Sequence, residues 1–471
     1  MGGLLSLDEL MPTAHPFVGG TPGEAHAMID ELVKAMTAGY PPPGGAGGTM
    51  AGLTIESLDG TMTYLTSRER HLNLMRRFQR AKAVNIAHQF TQLTGHGHQL
   101  SPFIQEGGLP GVVSDSTWVR NTRQLMIAAE LGEVTDVANA VEMQSGVTPP
   151  MVAEESRRKL HNILRKLEWS CFFDSAAINP LAFNGLATQI NAANVEDMRG
   201  ANLTTDKIGE RVVSILNAGG PLPHAAFMSF GVQDALGQMG GSHLILDRPD
   251  GSRGGDSTLG IMAKGQRTVG GPVPYEGSYF LQPTFLTAGA IGAAATRPAA
   301  PLLTSAIAGA SATSNFVAAD AGNYRYEIAA VGLNGRSTSL AVAPVAVVAG
   351  DGVTFTMNDA GITDVVYYEV YRSDRNGAAA TNKFMTRVAF TGLPTVFVDD
   401  NDDIPGTSWC FLLNFDLDIT EFAQLGVGPV KVPIAKTALS ERFCIVLVGA
   451  LIVKAPTQLW AFKNCAETVI P

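Results

Sequence analysis

The sequence predicts an α+β host interrupted once, at residues 297–408, by a small all-β sandwich. Three observations predict it. Apolar residues recur at helical spacing over 150–174, they alternate at strand spacing with turn signals between them over 324–398, and strand-like runs resume from Trp409 onward. At 471 residues the chain can bury large cores and hold two or three domains.

From the N-terminus, residues 1–60 contain one helical stretch, Pro22 to Thr37, followed by Pro41-Pro42-Pro43-Gly44-Gly45-Ala46-Gly47-Gly48, a composition with no means of building its own core. Over 61–93 Leu72, Met75 and Phe78 recur at helical spacing. The basic residues Arg68, Arg70, Arg76, Arg77, Arg80 and Lys82, with the single acid Glu69, read as the solvated face of that helix. Gly95, Gly97, Gly107, Gly108, Pro110 and Gly111 break 94–140 into a long extended excursion, and Thr135 to Met143 reads as a short helix or strand. Loops of this length in compact domains are usually functional or interaction elements.

The clearest helix runs from Pro150 to Asp174. Pro150 suits the first turn, Glu154 and Glu155 favour the positive end of the dipole, and Leu160, Ile163, Leu164, Leu167 and Cys171 form one apolar stripe. Thr205 to Ala218 reads as a helix with Ile208, Val212, Ile215 and Leu216 inward, Ala225 to Phe230 as a strand and Gly231 to Met239 as a helix. The glycine-rich stretch 243–286 reads as irregular β structure, with a strand at Tyr275 to Leu286 matched by one at Trp409 to Ile419 across the interruption. Strands resume over Glu441 to Lys463. The apolar run Phe443 to Val453 is too short for a bilayer, which needs about 20 residues, and reads as a buried central strand.

Inside the interruption Tyr324, Tyr326, Ile328 and Ala330 share one face, and Asn334-Gly335 follows as a turn. Val342 to Ala349, Val353 to Met357, Val366 to Arg372, Phe384 to Phe390 and Val396 to Val398 supply further strands, punctuated by Gly350-Asp351-Gly352 and Asn376-Gly377. The wording Tyr324 to Ser337 resembles a strand and turn of fibronectin type III or related immunoglobulin-like modules. In that family it stands near the module's end, whereas here more strands follow, so the resemblance implies an Ig-like or permuted topology.

Composition narrows the function. Charged residues are 16%, low for a globular chain, and the formal net charge of −10 argues against a general nucleic-acid binder. Cys171, Cys410, Cys444 and Cys465 lie far apart and suit buried free thiols in a reducing compartment. Met1 is followed by no basic and apolar leader, so no signal peptide is expected.

No constellation reads as an active site. Gly255-Asp256-Ser257 resembles the nucleophile block of some esterases, but the last histidine is His243 and no base follows it. His96-Gly97-His98 offers two metal ligands without a third and reads as a loop tip. Asp399-Asp400-Asn401-Asp402-Asp403 is the densest carboxylate cluster, yet it lacks the glycine and glutamate of an EF-hand loop and reads as a solvated turn. Neither a phosphate loop nor a dinucleotide fingerprint is present. No catalytic, cofactor-binding or metal residue is therefore assigned, and no cofactor is expected.

The order of parts, with the wording at Met143 to Pro150, Glu168 to Asp174, Asn179-Pro180 to Ile190 and Leu439 to Trp460, resembles major capsid proteins of tailed bacteriophages of the Hong Kong 97 type, in a branch carrying Ig-like insertions. That resemblance covers most of 60–290 and 409–471. It implies an N-terminal arm (1–60), an arm and extension-loop region (61–149), a peripheral domain with the spine helix (150–204 and 438–471), an axial domain (205–296 and 409–437) and the inserted Ig-like sandwich (297–408). It further implies self-assembly into pentamers and hexamers of an icosahedral virion shell in the host cytoplasm, with portal and decoration proteins as partners, packaged double-stranded DNA touched only non-specifically, and no membrane. Many relatives remove an N-terminal scaffolding segment; the 60 residues here are too few for one, so no such cleavage is expected. The insert is expected to project outward, and its deletion to leave shell formation possible.

Two other classes compete. A polysaccharide-active enzyme with an Ig-like accessory module needs two carboxylates flanking a cleft and aromatic platforms, and of Trp118, Trp169, Trp409 and Trp460 three fall in expected strands or buried helix. A surface adhesin needs export, against which the missing leader counts.

Overall fold

The computed structural model describes residues 71–97, 103, 106–107, 116–137, 151–239, 264–357, 364–392, 394–426, 428–436 and 438–469. The helix expected at Pro22 to Thr37, the Pro/Gly run 41–48, Arg68, Glu69, Arg70, His98, the wording at Met143 to Pro150, His243 and Gly255-Asp256-Ser257 lie outside the described residues.

The described chain starts with a four-residue helix α1 (Leu74–Arg77), then β1 (Arg80–Ala83), β2 (Ala87–Gly95), β3 (Thr117–Gln124) and β4 (Met126–Thr135). The helix-like stretch expected within 61–93 is, among the described residues, only the single turn of α1. Leu72, Met75 and Phe78 are all buried, but Phe78 is already extended, and Gln79 accepts a backbone hydrogen bond from Phe422 that leads the chain into β1. The extended excursion expected over 94–140 is described only in part, as the end of β2, as β3 and as β4. β2 and β3 pair antiparallel from Ala87 against Gln124 to Gly95 against Thr117, so a ladder rather than a core satisfies their backbone groups.

Helix α2 (Met151–Phe173) buries Ile163, Leu167 and Cys171 of its stripe, with Leu160 and Leu164 packed at the margin. Glu168 and Trp169 are buried as well, so the last turns are enclosed on more than one side. Glu168 accepts from the backbone N–H groups of Leu74 and Met75 at 2.6 and 2.8 Å and so satisfies the open end of α1. Next come α3 (Leu186–Gln189), β5 (Val195–Asp197), α4 (Thr205–Asn217), β6 (Ala225–Met228), α5 (Phe230–Met239), β7 (Gly265–Thr268) and β8 (Gly271–Gly277). Thr204 caps α4 by accepting from the Lys207 N–H. The strand expected from Tyr275 to Leu286 stops at Gly277. There the Ser278 hydroxyl accepts from the Phe280 N–H and starts a 3-10 turn, Tyr279–Leu281, held by edge contacts among Tyr279, Phe280 and Phe285.

The interruption contains β9 (Leu303–Ala310), β10 (Gly322–Tyr324), β11 (Tyr326–Gly332), β12 (Gly335–Arg336), β13 (Leu340–Ala341), β14 (Val345–Val347), β15 (Asp351–Met357), β16 (Val365–Arg372), β17 (Lys383–Ala389) and β18 (Thr395–Asp399). β9 escapes a pattern reading because it is written mostly in Ala, Gly and Ser. The run expected from Val342 to Ala349 is strand only at β14, after Pro344, which lacks a backbone donor. One antiparallel sheet runs β12-β11-β16-β17, with β13 also on β11, and a second runs β18-β15-β9. They share one core containing Tyr326, Ile328, Ala330, Val353, Phe355, Tyr368 and Val370, and the Tyr326 and Phe355 rings meet at 4.8 Å. The Asn334-Gly335 turn presses on the chain ahead of β9: Gly335 has φ 142°, and a Cβ there would lie 2.2 Å from the Ile291 carbonyl oxygen.

The chain returns through β19 (Ser408–Leu413), β20 (Thr420–Leu425), β21 (Val430–Ile434), β22 (Ser440–Val453) and β23 (Trp460–Cys465). β19 ends before the expected Ile419 because the Asn414 side chain accepts from the Asp416 N–H and turns the chain. β19 and β8 flank β6 in a six-stranded sheet, β5-β23-β19-β6-β8-β7, so the two sides of the interruption do belong to one sheet. α4 and α5 share a core with it through Ile208, Val212, Val232 and Leu236. In the other host sheet β22 is central, with β4 on one side and β20 and β21 on the other, and β1 lies parallel outside β20. Phe443, Ile445 and Leu447 point from β22 into the core that α2 completes. Gly132 lies opposite Phe443, where a Cβ would come within 2.4 Å of the ring.

Candidate assembly surface

The positions weighed as chemistry resolve into structural roles or fall outside the described residues. Asp399 pairs with Arg372 at 2.7 Å and accepts from the Tyr326 hydroxyl at 2.9 Å, while Asn401 accepts from Arg372 and Asp402 from Asn315, both at 2.6 Å. Asp399 and Asn401 are therefore buried in an interior network and not in the solvated turn expected of the cluster, while Asp402 stays exposed. Burial pushes the Asp403 carboxyl up. Among the described residues no three His, Cys, Asp or Glu side chains gather as a metal site. The four cysteines are free, and burial pushes the thiols of Cys171, Cys410 and Cys465 up. His96 is exposed just beyond β2.

What stands out is surface left unmatched. The sheet register aligns Ala129, Val446 and Val430 in one row, Leu131, Cys444 and Val432 in the next, and Glu133, Arg442 and Ile434 in a third, with Ile127 beside Val448. Paired residues face the same way, and this is the face turned away from Phe443, Ile445 and Leu447. Ile127 is 67% exposed, Leu131 55% and Val430 56%, with Val432 and Ile434 also exposed. The charged groups in these three rows are Arg442 and Glu133, which pair at 3.0 Å at one end. Hydrogen bonds from Ser440 and Arg442 hold the Glu133 carboxyl below its usual range. On the inner face burial raises the affinity of Glu130 for a proton, but Lys166, Asn162 and Lys159 of α2 overcome this and hold it low, joining β4 to the helix.

Covering a half-exposed Val, Leu or Ile contributes roughly 1 kcal/mol. The five aliphatic side chains would thus contribute about 5 kcal/mol to a contact before ordering costs.

The second unmatched element is the ribbon β2–β3. Among the described residues no third strand joins it, and most of its side chains are exposed on both faces, Trp118 at 62% among them, with Leu93 and Val119. A lone two-stranded ribbon is marginal in water. At its base Phe90 is buried, His88 lies 3.3 Å from Glu421, and Gln92 donates to the Lys454 carbonyl. Arg120 and Arg123 give β3 a positive character. Nothing in the sequence marked this ribbon as paired, because its alternation is of polar with polar.

Among the described residues, the outward apolar face of β4, β22 and β21 and the ribbon β2–β3 both lie open.

No protein-family model matches the chain. Over 93% of its length it is 24% identical to the putative major capsid protein of Enterococcus phage phiEF24C, covering 95% of that protein. Over the same share it is 22% identical to the major capsid protein of Staphylococcus phage K, covering 96% of it. Among solved structures, the capsid of a native GTA particle aligns over 89% of this chain and 97% of that one, at 9% identity and a TM-score of 0.43.

Proposed function

We propose that the chain is a major capsid protein that self-assembles into the shell of a phage virion. It is a structural protein and not an enzyme. The observation that carries this is the pair of open surfaces among the described residues, the apolar face of β4, β22 and β21 and the ribbon β2–β3, in a chain similar over 93% of its length to phage major capsid proteins. Rings and closed shells follow when such heterologous contacts close.

The finer reading is of the Hong Kong 97 type. Its support is the long α2 backed by the β22 sheet, which suits a spine helix in a peripheral domain (150–204 and 438–471), and the ribbon, which suits an extension loop within 61–149. On this reading 205–296 with 409–437 form the axial domain, 1–60 the N-terminal arm, and 297–408 an Ig-like insert on the outer surface; two antiparallel sheets around one core support the last. Its partners would be further copies in pentamers and hexamers, a portal, decoration proteins, and packaged DNA bound without specificity. No helix among the described residues is long and apolar enough to cross a membrane.

Negative-stain microscopy of the purified chain tests the proposal. Rings, shells or tubes are expected; a chain that stays monomeric at high concentration, or that cleaves polysaccharides, would overturn it.

A further inference from the structure

Among the described residues, side-chain contacts hold residues 297–408 to the rest of the chain at the end of α2, on the entry side and on the exit side, and Arg199 also donates to Asn315. At the end of α2, the Arg387 guanidinium of β17 lies 3.9 Å from the Trp169 ring centroid and 4.7 Å from that of Tyr367, and it donates to Asp174 at 2.8 Å and to Glu369 at 3.3 Å. On the entry side Glu369 also accepts from Arg336 at 2.7 Å, and Arg336 donates to the carbonyl oxygens of Thr287 and Gly289 at 2.5 and 2.7 Å. On the exit side the Ile404 N–H donates to Asn464 at 3.0 Å, and Asn464 donates to the Asp402 carbonyl at 2.8 Å.

A module that only displays a surface needs two linkers and a hydrated rim. Here the joining groups are largely enclosed: the Arg387 and Asp174 side chains are 15% and 11% exposed. A charge this enclosed is strongly destabilising once its partner is removed, and a guanidinium layered between two aromatic rings fixes direction as well as distance.

We propose that the sandwich is a clamp on the C-terminal end of α2, with Arg387 as the positioning residue that locks Trp169 and Asp174. This reverses the expectation that residues 297–408 are removable. Without them Trp169 loses the cation over its ring and Asp174 its partner, so the helix end loosens at the place where it meets both host sheets. The consequence for shells rests on the capsid reading, but the clamp itself is a property of the single chain.

Hydrogen exchange on the unassembled full-length chain tests it, comparing wild type with Arg387→Ala, Arg387→Lys and Asp174→Asn. Amides 168–176 are expected to exchange at least about tenfold faster in Arg387→Ala, with Arg387→Lys intermediate, because lysine keeps the charge and loses the stack, while amides of β15 stay unchanged. Faster exchange at 168–176 in Asp174→Asn is also expected. That variant alters the host side and leaves the packing of the sandwich intact, so it decides the case if Arg387→Ala loosens β15 too. Unchanged exchange at 168–176 in Arg387→Ala and Asp174→Asn overturns the clamp. Shell formation by the wild type is read separately by microscopy and bears on the capsid reading alone.

Discussion

Glu168 shows how one residue ties two distant parts of the chain. Its carboxylate sits fully buried on α2 and accepts backbone hydrogen bonds from the start of α1. Burial pushes its pKa up to about 7, against the pull of the Met75, Leu74 and Asn73 N–H groups and of Arg76. The folded chain therefore holds this proton more tightly than the unfolded one. The stabilisation is present in full below the unfolded value of about 4.3 and is lost as pH rises toward 7. The span corresponds to an upper bound of roughly 4 kcal/mol. Unfolding of the unassembled subunit in urea should show stability falling between about pH 5 and pH 7.5, and Glu168→Gln should flatten that part of the profile. An unchanged slope in the variant would assign the pH dependence to other groups. The helical stripe on α2 was legible because Leu160, Ile163, Leu164, Leu167 and Cys171 keep one period. The burial of Glu168 was not, since its partners are backbone groups that no side-chain pattern announces.

At the scale of elements, the outward sheet face and the β2–β3 ribbon separate folding from assembly. Leu131 and Trp118 contribute little to the core of the subunit that carries them, being more than half exposed. Leu131→Lys and Trp118→Ser should each leave the thermal unfolding of the free subunit within about 0.5 kcal/mol of wild type, as surface changes usually do. In sedimentation assays Leu131→Lys should abolish shells, because a charge would be buried unpaired in the contact. Trp118→Ser should lower their yield by tenfold or more, since aromatic anchors dominate interface energies. Loss of subunit stability in step with loss of shells would mean instead that these side chains serve the fold. The ribbon was illegible for a related reason. A strand is read from a sequence when one face meets the chain's own core, as in β11 and β16; β2 and β3 meet almost none of it, so their polar alternation looks like loop. β9 was missed because small residues leave no alternation to see, although Ala306 and Ala308 pack on the sandwich core.

For the whole molecule the sign and size of the charge set the conditions of assembly. Each copy carries a formal −10, while the uncovered sheet face is almost free of charge. Copies brought together through that face repel over distance and attract only on contact. Screening shortens the repulsion, from a Debye length of about 30 Å at 0.01 M salt to about 8 Å at 0.15 M, and it leaves the apolar term in place. Light scattering should therefore show shells forming faster and from lower subunit concentration at 0.15 M salt than at 0.01 M, within the order-of-magnitude range that electrostatic steering spans. A fall in yield over the same range would mean that opposite charges, with Arg120 and Arg123 of the ribbon as the first suspects, hold the shell together in place of the aliphatic rows of β4, β22 and β21.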